Sequence, residues 1–481
     1  VIQLLHSEHP HTFLSVKIPL INAAGEAYGL CGISTDITDQ LDFTKTLDRL
    51  ARFDPLTGLF SRAFFFEEAE RIFQSPDRPI AQAALLLINL DNFRDLNDTQ
   101  GHQVGDLFLK AIADQFMVIK QPHYLLARLV GDSFVFLIDK LPNARNAIDR
   151  ELRELVQQIH AAVTRPTQFG ELTYHGSASI GISVFEPHAI SIQEGFKQAE
   201  LAMYQAKNFE RGTTRFFEPQ MQELAAARSQ LESEVREAID RGQFEVFYQP
   251  QVNTQGALIS FEALVRWRHP KHGLYAPAAF IPLAESTGQI LQIGRFVLET
   301  ACAQLQIWSQ QPETAKLVIA VNVCAREFFD EGFINRLINA LSRFNVNPKC
   351  LELELTESQL LKDFEQTSVK LAALKGIGIR LSLDDFGTGY SSLSRLKNLP
   401  FDQLKIDASF VRDLVTNPSD SAIVKAIIDL GKTLHVEILA EGVETQAQMD
   451  ILVALGCEKF QGYLHGKPMP ISEVAANLLT G

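Results

Sequence analysis

From residue 247 onward the chain repeats one design, a short apolar run that stops at a polar or acidic residue. Runs at 247–252, 260–267, 317–323, 350–357, 381–383, 403–407, 437–444 and 459–464 each read as a strand. Stretches at 278–306, 332–344, 364–374 and 421–434 repeat apolar residues every three or four positions and predict helices between most of these strands. Eight strands with intervening helices predict a TIM-like (β/α)8 barrel, whose chemistry sits at the C-terminal mouth. The polar residues of the runs fall at that mouth. They are Gln249, Glu262, Arg266, Asn322, Glu354, Glu357, Asp384, Asp385, Lys405, Asp407, Glu441, Glu444 and Gln461.

Ahead of the barrel the pattern changes. Residues 12–21 and 28–34 alternate as two strands joined by a turn at 22–26, too little sheet to bury a core alone. Residues 39–53 carry Leu41, Leu47, Leu50 and Phe53 at roughly helical spacing and read as a connecting helix. It is either an ordinary surface helix or a dimerising coil. Between 54 and 217 a turn at 54–59 leads into a helix. A buried strand follows at 83–90, then a hairpin of 125–129 and 134–138 about Gly131-Asp132, and a further strand at 177–185. Such alternation suggests a palm-like α/β sandwich. Residues 218–242, rich in Glu, Arg and Ala, predict a linking helix with a solvated charged face. The fold class is therefore α/β multidomain, with expected boundaries at 1–38, 39–53, 54–217, 218–242 and 243–481.

Composition narrows the function. The 481 residues allow two or three domains, and 46% hydrophobic content is ample for packed cores. A net charge of −14 argues against a sequence-independent grip on nucleic acid polymers. No apolar run approaches the length of a membrane span, and five scattered cysteines without paired spacing suit a reduced, cytoplasmic setting. The chain opens on a valine in mid-pattern, which reads as the interior of a longer protein whose missing front would hold any membrane anchor. Within the barrel, Asp384 and Asp385 are adjacent carboxylates ahead of Gly387 and Gly389. Neighbouring strand residues point to opposite faces, so the two converge only where the strand frays. Two such groups repel, and a divalent cation is the usual remedy, whereas alone they would read as a solvated turn.

These residues resemble a known family. Glu262-Ala263-Leu264-Val265-Arg266-Trp267, Val321-Asn322-Val323, Glu354-Leu355-Thr356-Glu357, Asp384-Asp385-Phe386-Gly387-Thr388-Gly389, Lys405-Ile406-Asp407, Glu441-Gly442-Val443-Glu444 and Gln461-Gly462-Tyr463 are similar, in order and spacing, to the EAL-domain cyclic di-GMP phosphodiesterases. The resemblance implies hydrolysis of cyclic di-GMP to linear pGpG with two Mg²⁺ or Mn²⁺ ions. It assigns Glu262, Asn322, Glu354 and Asp384 to the first metal, and Asp384, Asp385 and Glu441 to the second. A water of lowered pKa between the ions would attack phosphorus, since two metals provide both nucleophile and charge compensation. Lys405 would orient that water or stabilise developing charge, with a salt bridge to Asp385 or Asp407 as its plainer role. Glu357 would anchor the loop after Asp385. Gln249 and Arg266 look like substrate contacts, and Asp407, Glu444 and Gln461 join them as substrate-side candidates. A non-catalytic cyclic di-GMP receptor is the alternative, disfavoured because no metal-ligand position is substituted.

The middle segment is similar to the GGDEF diguanylate cyclases in Asp54 to Leu59, Asp91 to Asp98, Gly101-His102, Gly105-Asp106 and Ala206-Lys207. Its signature hairpin departs from the family, reading Val130-Gly131-Asp132-Ser133-Phe134. Ser133 replaces the glutamate that would deprotonate the 3′-hydroxyl. Val130 crowds the triphosphate position, and Asn89 stands where the family has a metal-binding aspartate. Gln121-Pro122-His123-Tyr124 replaces the inhibitory Arg-x-x-Asp. Cyclase activity is therefore not expected. Asn97, Asp106, Lys207 and Arg211 remain as guanine and phosphate contacts, so GTP binding without turnover and a purely structural domain both stay open. Phe13 to Lys17 and Gly32 to Thr38 look like the last strands and exit motif of a PAS sensor domain. A homodimer is the expected assembly, with GTP acting on the barrel as an allosteric ligand.

Overall fold

The computed structural model describes residues 11–23, 25–74, 82–142, 144–170, 172–360, 364–387 and 399–477. Thr388 and Gly389, the end of the aspartate-loop motif, lie outside the described residues. The chain divides into two compact units, Val1–Ala226 and Ala227–Gly481. The boundary falls within one helix, Pro219–Asp240.

The first unit opens on an antiparallel hairpin of Phe13–Ile21 and Ala27–Asp36, on which Leu14, Ile18, Tyr28 and Ile33 are all exposed. The helix Thr38–Arg52 follows, with Leu47 and Leu50 also exposed. Its globular part is a five-stranded sheet in the order Tyr124–Arg128, Ser133–Ile138, Ala83–Leu90, Ala178–Phe185, Thr214–Phe216. The central strand Ala83–Leu90 is buried along its whole length because helices cover both faces. Ala84, Leu86, Ile88 and Leu90 pack with the helices His102–Ile119 and Arg145–Thr164. Ala83, Leu85 and Leu87 pack with Arg62–Phe73 and Ile192–Phe209.

The second unit is a closed barrel of eight strands. They are β1 (Phe244–Asn253), β2 (Leu258–His269), β3 (Val318–Asn322), β4 (Leu351–Thr356), β5 (Arg380–Phe386), β6 (Gln403–Ile406), β7 (Glu437–Ala440) and β8 (Lys459–Gln461). Strands β2 to β8 run parallel in sequence order, and β1 closes the ring between β8 and β2. Outward positions such as Phe261, Ile319, Leu353 and Leu381 pack under the surrounding helices.

Four expectations need correction. First, β1 is antiparallel to both neighbours, and it joins β2 through a short turn at Gly256 (φ +75°) instead of a helix. Second, the helix expected over 278–306 is split. Gly288, in the left-handed region at φ +84°, ends Ile281–Thr287, and Ile290–Trp308 starts anew. Third, β5 does not fray at the aspartates but passes through them to Phe386. Leu383 pairs with Leu404 and Phe386 with Ile406, so one extra residue bulges out between them. Fourth, β6 and β7 stop earlier than expected, which moves Asp407, Glu441 and Glu444 into the loops beyond.

Candidate active site at the barrel mouth

The bulge solves the geometric problem of adjacent carboxylates. Asp385 takes φ +53°, a left-handed conformation that aspartate tolerates better than most side chains, and this turns it back toward Asp384. Ligand atoms of Asp384, Asp385 and Glu441 then lie within 4.8 Å of one another. The backbone N–H of Asp385 donates to Asp384 Oδ1 at 3.0 Å, which helps fix the bulge.

Lys405 stands at the centre of the mouth, fully buried on β6. Its Nζ lies 2.6 Å from Glu441 Oε1, 2.8 Å from Glu354 Oε2, 3.1 Å from Asp384 Oδ1 and 4.0 Å from Glu262 Oε1. Where a salt bridge to Asp385 or Asp407 is the plainer expectation, the close contacts of Lys405 are to four other carboxylates, and its charge also acts on Asp385. Burial pulls the ammonium pKa down, but these neighbours outweigh it and hold Lys405 well above the usual lysine range.

Among the described residues, one ammonium faces five carboxylates at the mouth and does not balance them. Burial and the mutual repulsion of the acids push Asp385 up to about 6 and Glu441 up to about 8, and raise Glu354 well above the carboxylate range. Glu262 is buried as deeply, yet its pKa is lowered against that burial by Lys405 and by amide donors. Asn322 Nδ2 donates to Glu262 Oε1 at 2.6 Å, and Gln461 Nε2 to Oε2 at 2.5 Å. Glu354 differs in that its Oε1 is buried with no hydrogen-bond partner. A buried acceptor without a donor, amid excess negative charge, suits a hard divalent cation.

The other predicted residues differ in how they stand to this cluster. Gln461 Nε2 also donates to Gln249 Oε1 at 3.0 Å, so both amides are held within the mouth. Arg266 lies half-buried on β2, with its guanidinium 5.7 Å from the Phe247 ring centroid. Buried Glu357 accepts from Gly387 N–H at 3.2 Å, tying the start of the aspartate loop to the end of β4. Asp407 caps the helix Ala408–Arg412 by accepting from Ser409 N–H at 3.0 Å. Its carboxyl also faces Asp385, whose pKa it helps to raise. Glu444 is exposed, beyond the end of β7.

In the first unit the departures from a cyclase site are built into hydrogen bonds. Asn89 Nδ2 donates to Asp132 Oδ1 at 2.8 Å and to Ser133 Oγ at 2.9 Å. Buried Asp91 accepts from Ser177 and Ser179. Val130 is 70% exposed at the hairpin tip. Asn97 turns its Oδ1 against Gly105, where the oxygen is buried without a hydrogen-bond partner. Arg211 Nη1 reaches Asn92 Oδ1 at 2.5 Å, while Lys207 sits in the last turn of Ile192–Phe209 and Asp106 is exposed on His102–Ile119.

The EAL domain family model matches residues 232–468, and the diguanylate cyclase GGDEF domain model matches residues 51–213. The chain therefore belongs to the EAL family and carries a GGDEF-family domain ahead of the barrel. It is 40% identical over 435 residues to the bifunctional diguanylate cyclase/cyclic di-GMP phosphodiesterase MucR of Pseudomonas aeruginosa, covering 90% of this chain and 62% of that protein. It is 32% identical over 445 residues to the cyclic di-GMP phosphodiesterase PdeR of Escherichia coli, covering 92% and 66%. A solved structure titled PaMucR phosphodiesterase, c-di-GMP complex, shares 47% identity with a TM-score of 0.50, covering 51% of this chain and 99% of that one. The chain spans 55–62% of the length of the first curated relatives it matches. Among the described residues no helix is long and apolar enough to cross a membrane.

Proposed function

We propose that the barrel hydrolyses cyclic di-GMP to linear pGpG with divalent metal ions, and that the GGDEF domain does not cyclise GTP. The observation that carries this reading is the charge imbalance at the mouth, where among the described residues Glu262, Glu354, Asp384, Asp385 and Glu441 gather about one ammonium. A substrate with two phosphates would be repelled from such a site unless cations were added. Glu262, Asn322, Glu354 and Asp384 would hold one Mg²⁺ or Mn²⁺, and Asp384, Asp385 and Glu441 a second. Bound there, the ions supply a water of lowered pKa and neutralise charge on the phosphoryl oxygens. Lys405 keeps the carboxylates converged, and it meets developing negative charge from beneath. Arg266 offers a guanidinium to a substrate phosphate, and Gln249 offers its amide to a base. Glu357 steadies the loop after Asp385 through Gly387. The relatives named for cyclic di-GMP support the choice of substrate.

The test is incubation of the purified chain with cyclic di-GMP. Linear product is expected with Mg²⁺ or Mn²⁺ and none after chelation. Binding without product at saturating metal would make the barrel a receptor.

For the GGDEF domain, the amide of Asn89 donates to Asp132 and Ser133, so position 89 offers no metal carboxylate and position 133 no carboxylate base. No cyclic di-GMP is expected from GTP in a Glu262→Ala background, where product cannot be removed as it forms. Steady accumulation there would overturn the silent-cyclase reading. A regulatory role with GTP as ligand rests on Asn97, whose buried Oδ1 lacks a donor. GTP at fixed free Mg²⁺ is expected to change hydrolysis several-fold, within the usual range of coupling energies, and Asn97→Ala to blunt that response. An unchanged rate would leave the domain structural.

A further inference from the structure

The antiparallel course of β1 has a consequence at Glu262. Strand register sets Gln249 opposite Glu262, Gln251 opposite Ser260, and Gln251 opposite Gln461 on β8. All five side chains are buried, with Gln251 only 1% exposed, so their polar atoms need partners, most of which they find in one another. Ser260 Oγ donates to Gln251 Oε1 at 2.5 Å, and Gln251 Nε2 donates to Gln461 Oε1 at 2.8 Å. Gln461 Nε2 spends both its hydrogens, one on Gln249 Oε1 and one on Glu262 Oε2.

The sense of the chain matters. A Gln461 amide turned over would set its oxygen against the Glu262 carboxylate, replacing a donor with a repulsion. Gln251 prevents this, because its N–H holds the Gln461 oxygen on the far side. Asn322, the other amide donor to Glu262, stands exposed at the rim, so among the described residues the buried amide support for Glu262 comes through Gln461. We infer that Gln251, anchored by Ser260, is a positioning residue that fixes the amide sense of Gln461 and thereby presents Glu262 to a divalent cation. The inference rests on the reading of Glu262 as a metal ligand. Outer partners of this kind typically change metal affinity 10–100-fold when removed.

The test is Mn²⁺ binding to the metal-free whole chain, followed by calorimetry or by the loss of the free-ion paramagnetic signal, together with thermal unfolding. Gln251→Met keeps the side-chain length and loses both polar atoms, and it is expected to weaken Mn²⁺ about tenfold. Gln289→Met removes another buried glutamine, one that bonds Glu232 O and Thr287 on the outer side of the barrel. It is expected to cost stability while leaving Mn²⁺ affinity within twofold. Ser260→Ala removes a single hydroxyl and decides the matter if Gln251→Met does not fold, with a weakening of at least threefold expected. Glu262→Gln tests the underlying reading. If it weakens Mn²⁺ while Gln251→Met and Ser260→Ala do not, the positioning role is overturned and the metal site stands. If Glu262→Gln has no effect, both fall.

Discussion

Asp384→Asn is expected to lower the hydrolysis of cyclic di-GMP by about three decades or more, equivalent to roughly 4 kcal/mol of transition-state stabilisation. At the same time, it should leave the metal-free protein as stable as before, or more so. The two effects have one cause. Asp384 adds a buried negative charge 3.1 Å from Lys405 to a cluster that already holds more acid than one ammonium offsets. Neutralising it relieves repulsion on Glu354 and Glu441, both of whose pKa values it helps to raise. Asp385→Asn should be milder, because Asp385 is only partly buried and belongs to one proposed ion set where Asp384 belongs to both. Turnover and melting temperature measured on both variants decide it. Near-wild-type turnover by Asp384→Asn would remove the carboxylate from the metal set.

The eight strands were legible because each apolar run ends on a polar residue, a pattern that barrel geometry imposes at the mouth. The direction of β1 was not read, since an apolar run looks alike either way along the sheet. A signal was nevertheless present. Only seven residues separate the runs ending at 252 and starting at 260, whereas a parallel crossover needs a dozen or more. Gly288 likewise marked the break in the long helix. The convergence of Asp384 and Asp385 was anticipated, but through fraying at glycines. The structure instead places the unusual φ on Asp385 itself. The partners of Lys405 lay beyond sequence, because Glu262, Glu354 and Asp384 come from three different strands and Glu441 follows a fourth, so they meet only when the ring closes. Gln251 was passed over for a related reason. It reads as one polar residue of a strand until β1 is seen lying against both β2 and β8.

Lys405→Met is expected to destabilise the metal-free barrel strongly at pH 8 and weakly at pH 5. Removing one partner of a buried ion pair typically costs about 3–5 kcal/mol, because it leaves charge without compensation. Here four carboxylates lie within 4.0 Å of the ammonium. The folded pKa of Lys405 is raised, so its stabilisation is fully present below the ordinary lysine pKa and is lost only far into the alkaline range. The raised acids work in the same sense at lower pH. Asp385 at about 6 and Glu441 at about 8 favour the folded state below their ordinary values of 3.8 and 4.5, and that contribution is lost as pH rises through the folded values. The metal-free wild type should therefore lose stability between pH 5 and 8. Lys405→Met should lose much more over the same window, because at pH 5 protons stand in for the missing ammonium. Added Mn²⁺ at pH 8 should restore part of the melting temperature without restoring wild-type turnover, since the cation balances charge but does not replace the ammonium in its proposed role toward the phosphate. Thermal unfolding of both proteins at the two pH values, with and without Mn²⁺, is the measurement. An equal deficit at pH 5 and 8 would make Lys405 a packing residue and exclude its part in the charge balance.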